Sequence, residues 1–282
     1  MLVGDLLRSL LFVPGDNPSK LAKSRSAAAD ALVLDWEDAV LPQDKPKARA
    51  LATEFLRSRA GLATPILVRV NPVASTCFEE DAVAFAGCVP DGIVLSKCRS
   101  ADNVRRLEQI LGERGPAATC LVFPMVESAE GLLNAHAIAK SSTRVAALLF
   151  GAEDFSADVG IRPTEGEWEL LYARSALVTA ARAAGLDSID SPYLEFRNTE
   201  EVRASAQRAR NLGFTGKLAI HPAQVQVLNE VFSPSESEIE EARRILSAYS
   251  SSATGVTVVA GRMVDEAVAR KARQTLRLAD YD

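Results

Sequence analysis

The sequence predicts an α/β fold: a TIM (β/α)8 barrel with a C-terminal helical arm or lid. Three observations carry this expectation. Eight short, apolar, β-rich runs recur along the chain, and helical segments separate them. Successive runs start roughly 22–41 residues apart, the size of a βα unit. Polar or charged residues collect just after nearly every run, where such a barrel carries its active site. No GxGxxG or Walker sequence is present, which argues against dinucleotide binding and nucleotide hydrolysis.

The expected strands cover residues 9–13, 31–34, 66–70, 92–95, 120–126, 145–150, 186–189 and 217–220. Helical character, rich in Ala, Leu, Arg and Glu, covers 19–29, 45–60, 101–114, 128–141, 167–184 and 199–212. Asn198-Thr199-Glu200-Glu201 reads as a helix start, and Gly112, Gly185 and Gly213 as helix stops. The tail departs from this rhythm. Ser235, followed by Glu236 and Glu238, reads as a capped helix start running to about Tyr249. A loop over 250–255, a short strand over 256–259 and a last helix over 264–278 complete it. The expected domains are therefore a barrel over 1–232 and an arm over 233–282.

The bulk properties narrow the function. A chain of 282 residues suits one large domain or two small ones, and 48% apolar with 24% charged residues is ordinary for a soluble globular protein. The net charge of −5 disfavours a general nucleic-acid or membrane surface. Residues 1–8 are too short for a signal peptide, and no apolar run reaches membrane-spanning length. Cys77, Cys88, Cys98 and Cys120 show no CxxC spacing, and His136 and His221 are the only histidines. A structural zinc site is not expected. Free, buried thiols in a cytoplasmic protein are.

The strand exits hold the chemistry. Asp35-Trp36-Glu37-Asp38 follows the second run, and Ser96-Lys97 the fourth. Glu127 follows the fifth, Glu153-Asp154 the sixth and His221 the eighth. Adjacent parallel strands would bring Glu127 and an acid of the sixth exit to one end of the sheet, about 4.8 Å apart plus side-chain reach. Two carboxylates there suit Mg²⁺, which leaves positions for water and substrate. Glu153 competes with Asp154 for that role, and Glu127 has a simpler reading as an acid in a first helical turn. Strand alternation puts Leu67, Arg69 and Asn71 on one face. Arg69 at the mouth either holds a substrate carboxylate or forms an ion pair with Asp35 or Glu37. Asp38 reads equally well as a helix N-cap, and His221 as a core histidine.

Seven stretches also carry a family resemblance. RSLLFVPG (8–15), DWEDAV (35–40), VRVN (68–71), PMVESAEG (124–131), FGAEDF (150–155), AIHPAQ (219–224) and GRMVD (261–265) resemble the citrate lyase β-subunit-like proteins of the HpcH/HpaI aldolase superfamily. The likeness runs from Arg8 to about Leu278. It implies Mg²⁺ held by Glu127 and Asp154, and Arg69 on the carboxylate of an α-keto acid. It implies Asp265 as acid/base, supplied by the C-terminal arm of a neighbour in a homotrimer or homohexamer, with Glu37 as the other candidate. Lys45 matches a position associated with coenzyme A. Departures are the missing Pro after Asp265, Ser96 where a Pro commonly precedes the lysine, and Glu195 where Asp is usual. The implied reaction is Mg²⁺-dependent carbon–carbon cleavage of a small hydroxy-acyl-CoA, such as citryl-, malyl- or citramalyl-CoA. It releases an acyl-CoA and an α-keto or aldehyde acid. The alternatives are a non-CoA aldolase, a thioesterase variant, or a barrel that binds such ligands without turning them over.

Overall fold

Eight parallel strands close on themselves in the computed structural model of the chain. It describes residues 7–85, 88–113, 120–162, 164, 166–252 and 255–279. The strands are β1 (Ser9–Pro14), β2 (Ala31–Asp35), β3 (Ile66–Val70), β4 (Gly92–Leu95), β5 (Leu121–Val126), β6 (Ala147–Phe150), β7 (Asp187–Asp190) and β8 (Gly216–Ala219). They pair in chain order, and β8 returns to β1 through Leu10–Leu218 and Leu11–Ala219. The expected TIM barrel is the observed fold. Its connecting helices are α1 (Pro18–Ser24), α2 (Lys45–Arg57), α3 (Phe78–Ala84), α4 (Ala101–Glu113), α5 (Ala129–Leu133), α6 (Ala135–Ala139), α7 (Ala152–Val159), α8 (Leu171–Ala183), α9 (Thr199–Leu212) and α10 (Pro222–Phe232).

The chain divides into two compact units, Met1–Asn229 and Glu230–Asp282. The second unit contains α11 (Glu236–Ser250), the antiparallel strands β9 (Thr257–Val259) and β10 (Arg262–Val264), and α12 (Glu266–Ala279). Ser235 and Glu238 form the expected capping box at the start of α11.

Alternation along each strand divides the first unit into two layers. Leu10, Val33, Leu67, Val94, Phe123, Leu149, Ile189 and Leu218 belong to one buried cluster that fills the lumen. The lumen is tight at its base. A Cβ on Gly92 would lie 2.6 Å from the Phe123 ring and 2.8 Å from Leu67. A side chain at 92 would have to displace that ring.

The alternate positions face the helices, and β7 and β8 place charge there. Lys217 is fully buried and donates to Asp190, which also accepts from Arg174 Nε at 2.9 Å. Glu167 accepts from Arg174 at 2.8 Å and from Arg208 and Ser205 at 3.1 Å each. Burial favours the protonated form of Glu167. The neighbouring Arg174, Lys217 and Arg208 outweigh it and bring its pKa down to about 2.

The structure corrects several boundaries. The helix expected over 128–141 breaks at Asn134 into α5 and α6, with the Asn134 side chain donating to the Arg99 carbonyl at 3.0 Å. Gly112 lies inside α4 rather than ending it. The last helix starts at Glu266, because residues 262–264 pair with β9 instead. Helices α3, α7 and α10 were not expected; α7 and α10 begin directly after strand exits, in stretches that read as site loops. The readings on residues 1–6, Arg114 and residues 253–254 lie outside the described residues. Among the described residues, no helix is long and apolar enough to cross a membrane.

The Glu167 network predicts acid sensitivity of known sign. A carboxylate whose folded pKa lies below its unfolded value of 4.5 stabilises the fold fully above that value, and the effect fades as pH falls towards about 2. Glu167→Gln should therefore cost on the order of 1–2 kcal/mol at neutral pH after solvent screening. The deficit against the parent should shrink between pH 4.5 and 2, as read by urea unfolding at several pH values. A constant deficit would count against the ion pairs as its source.

Candidate active site

The lumen alternation continues past the strand ends and builds the site. Two residues beyond the apolar lumen positions stand Asp35 and Arg69, and likewise Glu127, Gly151, Ser191 and Ile220. All six line one cavity of about 360 Å³ at the C-terminal mouth of the barrel.

Arg69 is the hub of the polar side. Its guanidinium meets Asp35 in two parallel hydrogen bonds, Nε at 2.7 Å and Nη2 at 2.5 Å, and Nη1 lies 3.1 Å from Glu37. Both ion pairs weighed from the sequence are therefore present together. The Phe12 ring covers the guanidinium at 4.8 Å. Arg69 also lines the cavity. Asp35 is more than a counter-ion: its carboxylate also accepts from the Glu37 amide at 2.9 Å and the Ala39 amide at 3.3 Å. It thus shapes the turn that carries Glu37 and Asp38. No helix begins there, so Asp38 is not an N-cap.

Lys97 links this turn to Glu127. Its ammonium lies 2.7 Å from Glu37, 3.4 Å from Asp38 and 3.8 Å from Asp154. Burial opposes its charge, but Glu37, Asp38 and Asp154 outweigh burial and hold its pKa above the usual lysine range. It stays protonated, which fits charge pairing and not Schiff-base chemistry. Its backbone is left-handed (φ 48°) and aims its amide at Glu127 Oε1, 2.5 Å away. Ser96 does not line the cavity; its hydroxyl donates to the Val70 carbonyl at 2.7 Å.

Glu127 is 4% exposed. Burial, with Asp154 and Glu37 adding repulsion, pushes its pKa up to about 8 against the pull of the Lys97 amide and Arg69. Glu127 precedes α5 as the residue before its N-cap, Ser128. Gly151 lets the sixth exit come against it: a Cβ there would lie 2.4 Å from Glu127 Oε2. Asp154 and Glu153 both stand in the first turn of α7 and both line the cavity.

These residues fit a divalent cation. Among the described residues, Asp35, Glu37, Asp38, Glu127 and Asp154 share the cations Arg69 and Lys97, and the Lys45 ammonium behind the turn is bonded to main chain. Glu127 is left buried with a carboxylate that lacks a full counter-charge. Among the described residues no group of three or more His, Cys, Asp or Glu side chains forms a ready metal cage. A site of one or two carboxylates completed by substrate and water is the arrangement that Mg²⁺ commonly takes.

Other expected residues have local partners of their own. Lys45 is buried and donates to the carbonyls of Trp36 at 2.8 Å and Glu37 at 3.1 Å. It supports the acidic turn from behind and does not line the cavity. Asp265 belongs to the second unit, where its carboxylate accepts from the Val268 amide at 3.1 Å in the first turn of α12. His221 is exposed rather than core and stacks on Phe196 at 4.5 Å. Cys98 and Cys120 are buried as expected, but Cys77 and Cys88 are half-buried. The sequence reading passed over Ser191, Pro192 and Leu194 at the seventh exit, all of which line the cavity. Counting two residues on from Ile189 finds Ser191.

Comparison with known proteins places the chain. A family model described as HpcH/HpaI aldolase/citrate lyase matches residues 8–222. The citrate lyase subunit beta of Leuconostoc mesenteroides subsp. cremoris is 32% identical, over 98% of this chain and 94% of that protein. The L-malyl-CoA/beta-methylmalyl-CoA lyase of Cereibacter sphaeroides is 36% identical, over 97% and 94%. The crystal structure of CitE from Mycobacterium tuberculosis, in complex with magnesium, acetoacetate and coenzyme A, superposes with a TM-score of 0.83 at 29% identity, covering 99% of this chain and 100% of that one. The chain belongs to the HpcH/HpaI aldolase/citrate lyase family and resembles its citrate lyase β-subunit members.

Proposed function

We propose that this protein is a Mg²⁺-dependent carbon–carbon lyase that splits a small 3-hydroxy-acyl-CoA into an acyl-CoA and an α-keto or aldehyde acid. Family membership makes it a lyase of the oxo-acid type. The observation that carries the site assignment is the excess of acid around Arg69 and Lys97, centred on the buried Glu127. In this reading Glu127 and Asp154 hold the cation, which when bound supplies Lewis-acid polarisation of the substrate oxygens.

The protein's own residues do the rest. Arg69, oriented by Asp35 and screened by Phe12, holds the keto-acid carboxylate. Cleavage removes the hydroxyl proton, breaks the carbon–carbon bond, and returns a proton to the enolate carbon of the acyl-CoA. Asp265, supplied by a neighbour's arm in a trimer or hexamer, is the proposed acid/base. Glu37 supports it: locked between Arg69 and Lys97 and absent from the cavity wall, it orients both cations. A cavity of about 360 Å³ suits the small acid, so the coenzyme extends outward.

The cavity also favours one substituent on the keto acid. Polar groups occupy the arc from β2 to β6. The arc from β7 through β8 to β1 presents Pro192, Leu194, Leu218, Ile220, Phe12 and Pro14. Its one hydroxyl, on Ser191, is bonded to main chain. With the carboxylate held on β3 and the cation on β5–β6, the substituent faces this apolar arc. Hydrogen or methyl fits there; a second carboxylate would stand without a partner among the described residues.

Glu127→Gln should lower turnover more than about 100-fold and abolish its Mg²⁺ dependence. The metal-free variant should unfold at the parent's temperature or higher, because a neutral amide replaces a carboxylate that burial disfavours. Unchanged activity would sink the metal assignment. In a CoA-ester panel followed by mass spectrometry, citramalyl- or malyl-CoA should exceed citryl-CoA by about tenfold or more in kcat/KM. Equal or better use of citryl-CoA would refute the apolar-arc reading, and hydrolysis without keto-acid release would make the protein a thioesterase. Mixed Glu127→Gln and Asp265→Asn protomers, each inactive alone, should regain activity on subunit exchange; no recovery would rule out Asp265 acting across subunits.

A further inference from the structure

We infer that Ser191 is a positioning residue for the metal-binding edge, pinning the β6–α7 joint from the residue that follows β7. The inference rests on the proposed assignment of Glu127 and Asp154. Asp154 is the third residue of α7, so its place depends on where that helix starts. The first amides of a helix need acceptors, usually the side chain of the N-cap residue. The N-cap of α7 is Gly151, which has no side chain to offer.

That glycine cannot be exchanged for an ordinary cap. A Cβ at 151 would lie 2.4 Å from Glu127 Oε2 and 2.6 Å from Glu127 Cβ, so Ser, Thr, Asn or Asp would drive into the buried carboxylate. The close approach of β5 and β6 exits therefore removes the local cap for the second and third amides. Ser191, the residue after β7, ties the joint at the first amide instead. Its hydroxyl accepts from the Ala152 amide at 2.7 Å and donates to the Phe150 carbonyl at 2.7 Å. One oxygen thus pins the last residue of β6 and the first residue of α7, on either side of Gly151. The Gly151 amide donates to the Val126 carbonyl at 3.1 Å, which ties the same joint to the residue before Glu127. Ser191 is 2% exposed and stands on the cavity wall. Partners that orient metal ligands from behind are worth about 10–100-fold in metal affinity.

The test uses Mn²⁺ as a paramagnetic probe on the full-length protein, with free Mn²⁺ measured by electron paramagnetic resonance and folding followed separately by thermal unfolding. Ser191→Ala should weaken Mn²⁺ binding about tenfold. Asp30→Asn, which weakens the ion pair to Arg8 at the start of β1 and β2, should stay within about twofold of the parent. Ser191→Thr and Ser191→Val have the same shape, so their ratio reads the hydroxyl alone even if the added methyl perturbs both. Thr should bind more tightly by a similar factor. Equal affinities within either pair, Ser with Ala or Thr with Val, would overturn the inference. Glu127→Gln separates the two layers of the argument. Loss of Mn²⁺ there with full binding by Ser191→Ala defeats the positioning role alone. Full binding by Glu127→Gln defeats the metal assignment and this inference with it.

Discussion

The buried pair of Arg69 and Asp35 organises the mouth of the barrel. A guanidinium on an inward strand position is costly unless a carboxylate meets it with good geometry. Asp35 does so with two parallel bonds and spends its remaining acceptor capacity on the amides of Glu37 and Ala39. The turn so formed carries Glu37 to Arg69 on one side and to Lys97 on the other. Lys97 in turn presents its amide to Glu127. One chain of charge-assisted contacts thus leads from β3 through β2 and β4 to the buried acid on β5. Disturbing any member exposes its neighbours to unpaired burial, which is why such networks behave as units.

This chain leaves a deficit of positive charge at its far end. Arg69 and Lys97 are shared among Asp35, Glu37, Asp38 and, at 3.8 Å, Asp154, while Glu127 sits under Gly151. In the bare protein the cheapest answer is a proton, and that is the meaning of a pKa near 8. In the proposed site a divalent cation would answer the same deficit more strongly and keep both carboxylates ionised. The opposite arc of the cavity does the reverse, with Leu194, Leu218 and Ile220 offering nothing to a charge. The barrel mouth is therefore two-sided: charged groups line it on β2–β6 and apolar ones on β7–β1.

The fold was legible because eight buried strands need eight apolar runs, and alternation along β3 placed Arg69 inward without any knowledge of its partners. The strand exits then pointed to Asp35, Glu37, Glu127 and Asp154, which the structure brings together around Arg69 and Lys97. Helices α7 and α10 were missed because they begin at once after strands, where capping signals overlap with residues that line the site. Ser191 was missed because a serine after a strand looks like a loop residue until its two partners are known. Lys45 holds a contact that the sequence did not show: its ammonium donates to the carbonyls of Trp36 and Glu37.

What the sequence determined by itself was periodic and local: the strand count, the inward face of each strand, and the acids standing at each exit. These follow from alternation and burial, which act over a few residues. Only the tertiary structure decided how those residues share charge. Asp35 and Arg69 are 34 positions apart and Lys97 and Glu37 60 apart, and no local pattern states which acid each cation will take. The closeness of Gly151 to Glu127, and the bond that Ser191 accepts from the Ala152 amide 39 positions away, arise for the same reason. Barrel closure sets neighbouring strand ends side by side, and steric fit between them selects the glycine and the hydroxyl.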